Sequence, residues 1–252
     1  MIDLHSHVLP GLDDGARSLE EAVAICHAAA ADGTDVLAAT PHVREDYPTT
    51  ADEMEEALAR VRDAVGDEIR LVPGGELALD ELARPAEELR RFALGGSPRY
   101  LLVEMPYVGW PLDLGQRLFR LHAEGVTPVL AHPERNADVQ ARPALLEPLV
   151  AAGVLVQLTA ASVDGRLDRR SRACGHSLLE LGLAHLIASD AHAPTLRAVG
   201  LRSAARAVGD DDLARWLTFE VPRAILDGGD LPERPVPRRR VWRRRLRGDA
   251  RG

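Results

Sequence analysis

Short apolar runs alternate along the chain with longer amphipathic stretches. This alternation is typical of strand–helix units repeated around a mainly parallel sheet, so it predicts an α/β fold. We expect one strand in each apolar run and a helix in most of the stretches between them. The predicted strands cover residues 2–5, 36–40, 69–72, 100–103, 128–131, 155–158 and 185–189, which makes seven.

The stretches between the strands carry helix start and stop signals. Ser18 and Thr50 are each followed three residues later by a glutamate. This is the spacing of a capping box, in which the hydroxyl and the carboxylate satisfy free backbone N–H groups at the start of a helix. Glycine accepts the left-handed conformation that ends a helix, and it recurs just before predicted strands. These glycines are Gly33, Gly125, Gly153 and Gly182.

The repeat continues without a low-complexity linker to about residue 227, so residues 1–227 are expected to form one domain. Proline, glycine and arginine dominate from Gly228 onward, and residues 228–252 are expected to form an extended, mobile tail. The charge is divided in the same way. Residues 231–252 carry nine arginines against Glu233 and Asp249, or +7, whereas residues 1–230 carry 22 arginines against 37 acidic residues, or −15.

The basic residues are unusual in kind, because all 31 of them are arginines. A chain without lysine cannot contain a P-loop, cannot form a Schiff base and cannot bridge two metals through a carbamylated lysine. The last point argues against an amidohydrolase of the two-metal type, which also begins with a histidine pair at a strand end.

Two further features concern the compartment. No uncharged stretch reaches the roughly 18 to 20 residues of a membrane span, and no cationic segment followed by an apolar one opens the chain, so a cytoplasmic location is expected. Cys26 and Cys174 lie far apart and lack metal-type spacing, which favours two small core residues in a reducing compartment. Neither cysteine has an arginine at the C-x5-R spacing of cysteine-dependent phosphatases.

Polar residues that can bind metal follow all but the sixth of the predicted strands. In a βα barrel the carboxyl ends of the strands meet at one face, so these residues are expected to converge there. His5-Ser6-His7 and Asp190-Ala191-His192 each place two ligand groups two residues apart, on the same side of an extended chain. The set comprises His5, His7, His42, Glu76, Glu104, His132, Asp190 and His192, with Asp13 and Asp14 nearby in the first loop.

The size of this set indicates the chemistry. It contains five histidines and three carboxylates, whereas three protein ligands satisfy one catalytic zinc, so two or three ions are expected. A cluster of close cations suits in-line displacement at phosphorus, because the metals acidify the attacking water and hold the leaving group. Arg135, three residues after His132, adds a permanently charged fork for phosphate oxygens. The expected reaction is phosphoester hydrolysis.

The remaining histidines serve as a contrast. His27 and His122 lie within predicted helices, and His176 and His185 precede the functional ends of their elements. We expect structural roles for all four.

The motifs occur in a fixed order along residues 1–227. They are Met1-Ile2-Asp3-Leu4-His5-Ser6-His7, Gly11-Leu12-Asp13-Asp14-Gly15, Thr40-Pro41-His42, Gly75-Glu76, Leu102-Val103-Glu104, Ala131-His132-Pro133-Glu134-Arg135 and Ala188-Ser189-Asp190-Ala191-His192. Together they resemble the polymerase-and-histidinol-phosphatase (PHP) superfamily. Within it they are similar to the bacterial manganese-dependent tyrosine-protein phosphatases encoded with capsule and exopolysaccharide genes.

The resemblance implies an α/β fold of a particular kind, a distorted seven-stranded (βα) TIM-like barrel with three divalent metal ions. It implies manganese, with iron and zinc as alternatives, because metal identity follows geometry and supply more than ligand type. It also makes Arg135 the phosphate-binding residue and His42 and His192 further catalytic candidates. The implied ligands are His5, His7, Glu76 and Asp190 for one ion, bridging Glu76 with Glu104 and His132 for the second, and Asp14, His42 and His192 for the third.

The activity implied by the resemblance is hydrolysis of phosphotyrosine by direct attack of a metal-bridging hydroxide. The implied substrate is the phosphorylated tail of a bacterial tyrosine kinase that controls polysaccharide export.

A PHP phosphatase for a small metabolite such as histidinol phosphate is one alternative. Another is an inactive barrel whose basic tail docks to an anionic membrane or to nucleic acid. For the enzyme itself we expect no nucleic-acid partner, although the tail is suited to contact the inner membrane surface near the kinase. Residues 43–47 lack the polar, histidine-rich character common at this place in the family, and this loop is expected to shape the substrate mouth.

Overall fold

The computed structural model describes residues 1–195 and 199–236 and has an α/β fold built mainly from parallel strands. All seven apolar runs contain a strand, which confirms that part of the prediction. The strands are β1 (Ile2–Asp3), β2 (Val36–Ala39), β3 (His42–Arg44), β4 (Tyr47–Pro48), β5 (Arg70–Pro73), β6 (Glu76–Ala78), β7 (Tyr100–Glu104), β8 (Thr127–Ala131), β9 (Leu155–Thr159) and β10 (Leu186–Ala188).

These strands form two sheets. One has the order β1-β2-β5, and the other has the order β10-β9-β8-β7-β6-β3-β4. All pairings are parallel except that of β3 with β4, which form a tight hairpin. The strands β3, β4 and β6 are missing from the sequence prediction, because segments of two or three residues are too short to show a strand period.

Two polypeptide segments pass from the first sheet into the second. The chain leaves β2, turns at Thr40 and Pro41, and enters β3, while the segment after β5 turns at Gly74 and Gly75 and enters β6. The second turn is crowded: an added Cβ would lie 2.8 Å from Thr40 Cγ2 at Gly74 and 2.7 Å from Phe92 Cδ1 at Gly75. Glycine at this crossing therefore lets the two segments lie side by side, so that His42 pairs with Glu76.

Backbone hydrogen bonds also join the end of β1 to both sheets. The amide of Thr40 donates to Ser6 O at 2.8 Å, and the amide of Asp190 donates to His5 O at 2.9 Å. The amide of His7 donates to Ala191 O at 2.9 Å, and Ser6 and Ala191 form a parallel bridge. The segment after β1 thus lies between the two sheets and brings three motif segments together.

The helices mostly follow the predicted signals. Thr50 forms a complete capping box with Glu53, and the helix of Ser18 ends at Gly33 with φ 93°. Ser18 caps its helix by accepting a hydrogen bond from the amide of Glu21. The Glu21 carboxylate accepts from the backbone amide of Arg17 instead of that of Ser18, so the capping box at Ser18 is only half formed. The helices are α1 (Leu19–Asp32), α2 (Ala51–Val65), α3 (Ala86–Arg90), α4 (Leu114–Ala123), α5 (Ala137–Ala141), α6 (Glu147–Ala151), α7 (Ala160–Val163), α8 (Arg169–Glu180), α9 (Leu201–Val208), α10 (Asp211–Arg215) and α11 (Val221–Leu226).

The core is apolar and includes both cysteines. Cys26 and Cys174 are free and buried, as predicted, and burial raises the pKa of each thiol to about 12. Within the described ranges, no helix has the length and apolar character to cross a membrane.

Residues 228–236, here called the C-terminal segment, contact the domain, although the sequence predicts that they belong to a mobile tail. The Tyr100 hydroxyl donates to Gly229 O at 2.6 Å, and Trp216 Nε1 donates to Pro232 O at 3.1 Å. Arg234 donates to Ala184 O and Leu179 O, and its guanidinium carbon lies 5.2 Å from the centre of the Trp216 ring. Composition misses these contacts because they depend on single side chains of the domain. The rest of the predicted tail, residues 237–252, lies outside the described residues.

Candidate metal centre

The structure brings together all nine residues that the sequence analysis assigns to metal binding. They lie where the chain leaves the carboxyl ends of the strands, in four overlapping groups whose ligand atoms stand within 4.8 Å of one another. The groups are His7, Asp14, His42 and His192; His5, His7 and Asp190; His5, Glu76 and His132; and His42, Glu76 and Glu104. Most of these side chains are buried, whereas Asp14 is exposed and His192 is half-buried.

Glu76 lies at the middle of the cluster. Its Oε2 atom is 3.2 Å from His5 Nε2, 3.3 Å from His7 Nε2 and 3.0 Å from His42 Nδ1. This oxygen and His42 Nδ1 are buried and have no hydrogen-bond partner in the structure. Donors about 2.1 Å from a shared octahedral ion stand about 3 Å apart, so the spacing is that of neighbouring metal ligands. The orphaned oxygen therefore fits a carboxylate that binds a metal ion.

The other acidic groups extend the cluster to either side of Glu76. Asp190 Oδ1 lies 3.4 Å from His5 Nε2 and 3.3 Å from His7 Nε2. Glu104 Oε2 lies 3.8 Å from His42 Nδ1, while the second oxygen of Glu76 lies 2.7 Å from His132 Nε2. Nitrogen and carboxylate oxygen donors of this kind suit zinc, manganese and iron.

The third group lies at the mouth of the cluster. Asp14 Oδ1 is 3.5 Å from His42 Nε2 and 3.4 Å from His192 Nε2. The structure adds His7 to this group, and the two ring nitrogens of His42 face different groups. The partition implied by the resemblance therefore differs from the observed groups. His5, His7 and His42 each belong to two groups, Glu76 is absent from the group of His7 and Asp190, and Glu104 and His132 lie in separate groups.

Two of the cluster residues have unusual backbones. His132 has φ 34° and Asp190 has φ 56°, and among the described residues they are the two non-glycine residues with positive φ. This region is sparsely populated for residues with a Cβ atom, and such conformations concentrate at functional sites. The backbone at both positions therefore turns the side chain into the cluster at some cost in strain.

Two residues outside the predicted ligand set orient the histidines. Asp13 Oδ2 lies 2.7 Å from His7 Nδ1 and also accepts the backbone amide of His42 at 3.0 Å. Gln157, on the predicted strand that carries no ligand, places Oε1 3.0 Å from His5 Nδ1. Each acceptor fixes a proton on Nδ1 and leaves Nε2 free to bind an ion. The sequence offers Asp13 only as a neighbour of Asp14 and gives no signal for Gln157, because a lone glutamine within a strand has no motif.

The buried charges shift one another's pKa values. Burial disfavours the charged form of His5, but the nearby carboxylates of Glu76 and Asp190 outweigh burial and raise its pKa to about 9. Burial and hydrogen bonding oppose each other in the same way at His7, whose pKa lies well above its usual value. Burial opposes ionisation of Asp13, yet the His7 hydrogen bond lowers its pKa to about 2. The cluster therefore holds ionised carboxylates against imidazoles with high affinity for a positive charge, whether a proton or a metal ion.

Arg135 lies at the edge of this cluster, where its position three residues after His132 in the sequence places it. Its Nη1 atom donates to Asp190 Oδ2 at 2.7 Å, and its guanidinium carbon lies 4.6 Å from the centre of the Tyr107 ring. Both contacts fix the planar fork beside the metal ligands. Tyr107 itself carries no sequence signal.

The four histidines expected to be structural belong to none of the four groups found among the described residues. His27 lies 3.1 Å from Glu68 on the surface, His176 Nε2 lies 3.0 Å from Val163 O, and His185 accepts the backbone amide of Val156 at 3.1 Å. His122 lies near the end of α4.

Comparisons with known proteins identify the family of the chain. The family model described as capsular polysaccharide synthesis, CpsB/CapC, matches residues 1–227. The tyrosine-protein phosphatase YwqE of Bacillus subtilis is 29% identical over 257 residues, with 96% of this chain and 99% of YwqE covered. The tyrosine-protein phosphatase CpsB of Streptococcus pneumoniae is 26% identical over 201 residues, covering 76% of this chain and 83% of CpsB.

A solved structure matches over nearly the whole chain. It comes from work on YwqE of Bacillus subtilis and CpsB of Streptococcus pneumoniae, described there as unique metal-dependent tyrosine phosphatases. The superposition has a TM-score of 0.83 at 28% identity and covers 94% of this chain and 100% of the other.

Proposed function

The chain belongs to the CpsB/CapC family of capsular polysaccharide synthesis, and from this premise we propose that it is a metal-dependent tyrosine-protein phosphatase. The proposed substrate is the phosphorylated tail of a bacterial tyrosine kinase that regulates capsule or exopolysaccharide synthesis. The names of YwqE and CpsB, both tyrosine-protein phosphatases, support the activity. Such a substrate would be met in the cytoplasm, at the inner face of the membrane.

The observation that carries the proposal is the buried, orphaned Oε2 atom of Glu76 with three imidazole nitrogens 3.0 to 3.3 Å away. A buried carboxylate oxygen without hydrogen bonds is costly unless a cation compensates it. We infer three divalent ions, with manganese favoured by the family resemblance. The proposed ligands are His5, His7, Glu76 and Asp190 for the first ion, Glu76, Glu104 and His132 for the second, and Asp14, His42 and His192 for the third.

Bound divalent ions would supply Lewis acidity and an acidified water for direct attack on phosphorus. Arg135 would hold the non-bridging phosphate oxygens, because its fork is planar, charged and fixed by Asp190 and Tyr107. His42 and His192, at the mouth, are proposed to hold the third ion and thereby to orient the substrate for departure of its tyrosyl oxygen. That oxygen is already a good leaving group, with a pKa near 10.

The fold proposed for this chemistry is a distorted seven-stranded barrel. The two segments that pass from one sheet into the other and the hydrogen bonds of Ser6 and His7 support it. The likeness to a β-aspartyl dipeptidase at 13% identity, with a TM-score of 0.53, agrees with the fold alone.

The test is turnover together with metal content. The purified protein is expected to hydrolyse a phosphotyrosyl peptide, to contain up to three divalent ions per chain, and to lose both properties on chelation. Cys26→Ser and Cys174→Ser should be as active as the original chain, because both thiols are buried and stay protonated. Activity that survives complete removal of metal, or faster turnover of histidinol phosphate than of the peptide, contradicts the proposal.

The basic tail has a separate proposed role, contact with an anionic membrane near the kinase. A truncation that tests it should begin at residue 237, because residues 228–236 contact the domain. Loss of vesicle binding with unchanged peptide turnover is expected, and unchanged vesicle binding would contradict it.

A further inference from the structure

A groove of about 320 Å³ opens beside the metal cluster, on the side of Glu104. Arg44, Glu104 and Tyr107 line its inner end, next to the ligands of the proposed second ion. Its outer end reaches Pro111 and Arg117, in the loop before α4 and on α4 itself. The groove therefore reaches Glu104, a proposed ligand of the second ion.

Arg44 forms one wall of the inner end and is held in place from three sides. It lies two residues after His42 on β3, so its side chain is on the same side of the strand as the His42 ligand. Its Nη1 atom donates to Glu104 Oε2 at 3.3 Å, and its Nε atom lies 2.8 Å from Asp46 Oδ1. Its guanidinium carbon is 5.1 Å from the centre of the Tyr47 ring, across the β3–β4 hairpin. The Arg44 side chain is therefore held in one orientation by these contacts.

Tyr107 belongs to the other side of the inner end and is 42% exposed. Its ring centre lies 5.8 Å from that of His132 and 4.6 Å from the guanidinium carbon of Arg135. The inner end thus presents a guanidinium plane and an aromatic ring, which are the surfaces that an aryl ring packs against.

The rest of the groove is apolar or charge-compensated. Ala78, Leu79 and Met105 contribute apolar surface. Arg117 lies 2.9 Å from Asp80 and 2.7 Å from Asp113, so its charge is already paired. The outer end therefore suits a polypeptide of ordinary composition better than a strongly acidic or basic ligand.

We propose that this groove binds the polypeptide of the phosphotyrosyl substrate. The tyrosyl ring enters at the inner end beside Arg44 and Tyr107, and the residues flanking it lie over Leu79 toward Pro111. The proposal rests on the proposed phosphatase function. A small phosphorylated metabolite would fill only the inner end, so the outer end distinguishes a protein substrate from a small one.

The test compares two substrates in a variant that fills the outer end. Pro111→Trp should raise KM for a phosphotyrosyl peptide about tenfold by displacing its flanking residues, and it should change KM for p-nitrophenyl phosphate by less than about twofold. Leu112→Trp is the matched control, because Leu112 is the next residue of the same loop, is fully exposed and does not line the groove. Metal content and thermal unfolding should be unchanged in both variants.

The outcomes separate this proposal from the proposed function. Equal changes in KM for both substrates, or an equal effect of Leu112→Trp, would overturn the groove while leaving a working phosphatase. If the original chain with bound metal hydrolyses neither substrate, the phosphatase function fails, and the groove proposal fails with it. A rise in peptide KM with Pro111→Trp, absent with Leu112→Trp and absent for p-nitrophenyl phosphate, supports the groove.

Discussion

The polar groups of the metal cluster differ from those that join the C-terminal segment to the domain. Where the chain leaves the carboxyl ends of β2 and β5, Glu76 Oε2 and His42 Nδ1 are buried and have no hydrogen-bond partner. At the amino ends, three side chains that join the C-terminal segment to the domain donate to backbone carbonyls. Tyr100, Trp216 and Arg234 do so at 2.5 to 3.1 Å.

This difference indicates what each end is for. A buried polar atom without a partner costs about 1 to 3 kcal/mol or more, and the cost is tolerated where a ligand will satisfy the atom. The positive φ angles of His132 and Asp190 add strain at the same end. The carboxyl ends are therefore arranged for binding and chemistry, and the amino ends for stability, as is usual where βα units share one functional face.

The largest expected effect comes from the centre of the carboxyl end. Glu76→Gln keeps the shape of the side chain but removes the charge that would bridge two ions. We expect aryl phosphate hydrolysis to fall by about 10³-fold or more, because the acidified water and the phosphate site are lost together. Metal content per chain should fall in the same samples, as measured by elemental analysis.

The paired variant at the amino end is Tyr100→Phe. It removes the hydroxyl that donates to Gly229 O, so it should lower the free energy of unfolding by about 1 kcal/mol and leave turnover unchanged. A loss of turnover in Tyr100→Phe comparable to that in Glu76→Gln would contradict the division between the two ends.

A smaller effect is expected from the residue behind the His7 ligand. Asp13→Ala removes the acceptor of His7 Nδ1 and should weaken metal affinity about 10- to 100-fold, measured by competition with a chelator of known affinity. Asp13→Asn still offers an oxygen to Nδ1–H and should lose less. Asp67→Ala, at an exposed position outside the cluster, is the control. Equal affinity in the alanine and asparagine variants and the original chain would show that Asp13 does not orient His7.

The site was more predictable than the details of the fold. The convergence of His5, Glu76 and Asp190, the proposed ligands, was predictable because each follows an apolar run, and parallel strands bring their carboxyl ends to one face. Arg135 followed from its spacing to His132. These predictions needed the order of the elements but no accurate boundaries.

The remainder depends on contacts that leave no pattern in the sequence. The passage of two segments between sheets depends on packing at Gly74 and Gly75, and the hairpin containing Arg44 is too short for a strand period. Gln157 and Trp216 act through single hydrogen bonds to residues distant in sequence. Such long-range pairs are set by the tertiary structure and not by local propensity.

The C-terminal segment provides a third comparison, now in stability alone. Arg234→Ala removes two hydrogen bonds to backbone carbonyls and the contact with Trp216, and it should lower the free energy of unfolding by about 1 to 2 kcal/mol. Arg206→Ala, at an exposed position on α9, should change it by less than about 0.5 kcal/mol. Chemical denaturation measures both. If the two variants unfold alike, the segment does not stabilise the amino end.

The smallest expected effect is a pH dependence at the amino end. Burial, with a further contribution from the charge of Arg234, lowers the pKa of His185 from its usual 6.5 to about 4. Below pH 6.5 the unfolded chain takes up a proton that the folded chain refuses until about pH 4. His185 therefore makes the fold less stable as the pH falls through this window. Because the ring is partly exposed, we expect an effect on the order of 1 kcal/mol between pH 7 and pH 5.

His185→Gln keeps an acceptor for the amide of Val156 but cannot titrate, so its free energy of unfolding should fall less over this range. The carboxylates of the metal cluster titrate in both proteins and cancel from the comparison. Identical slopes of unfolding free energy against pH in the two proteins would show that His185 does not contribute, and turnover at pH 7 should be the same in both because the residue lies at the end away from the chemistry.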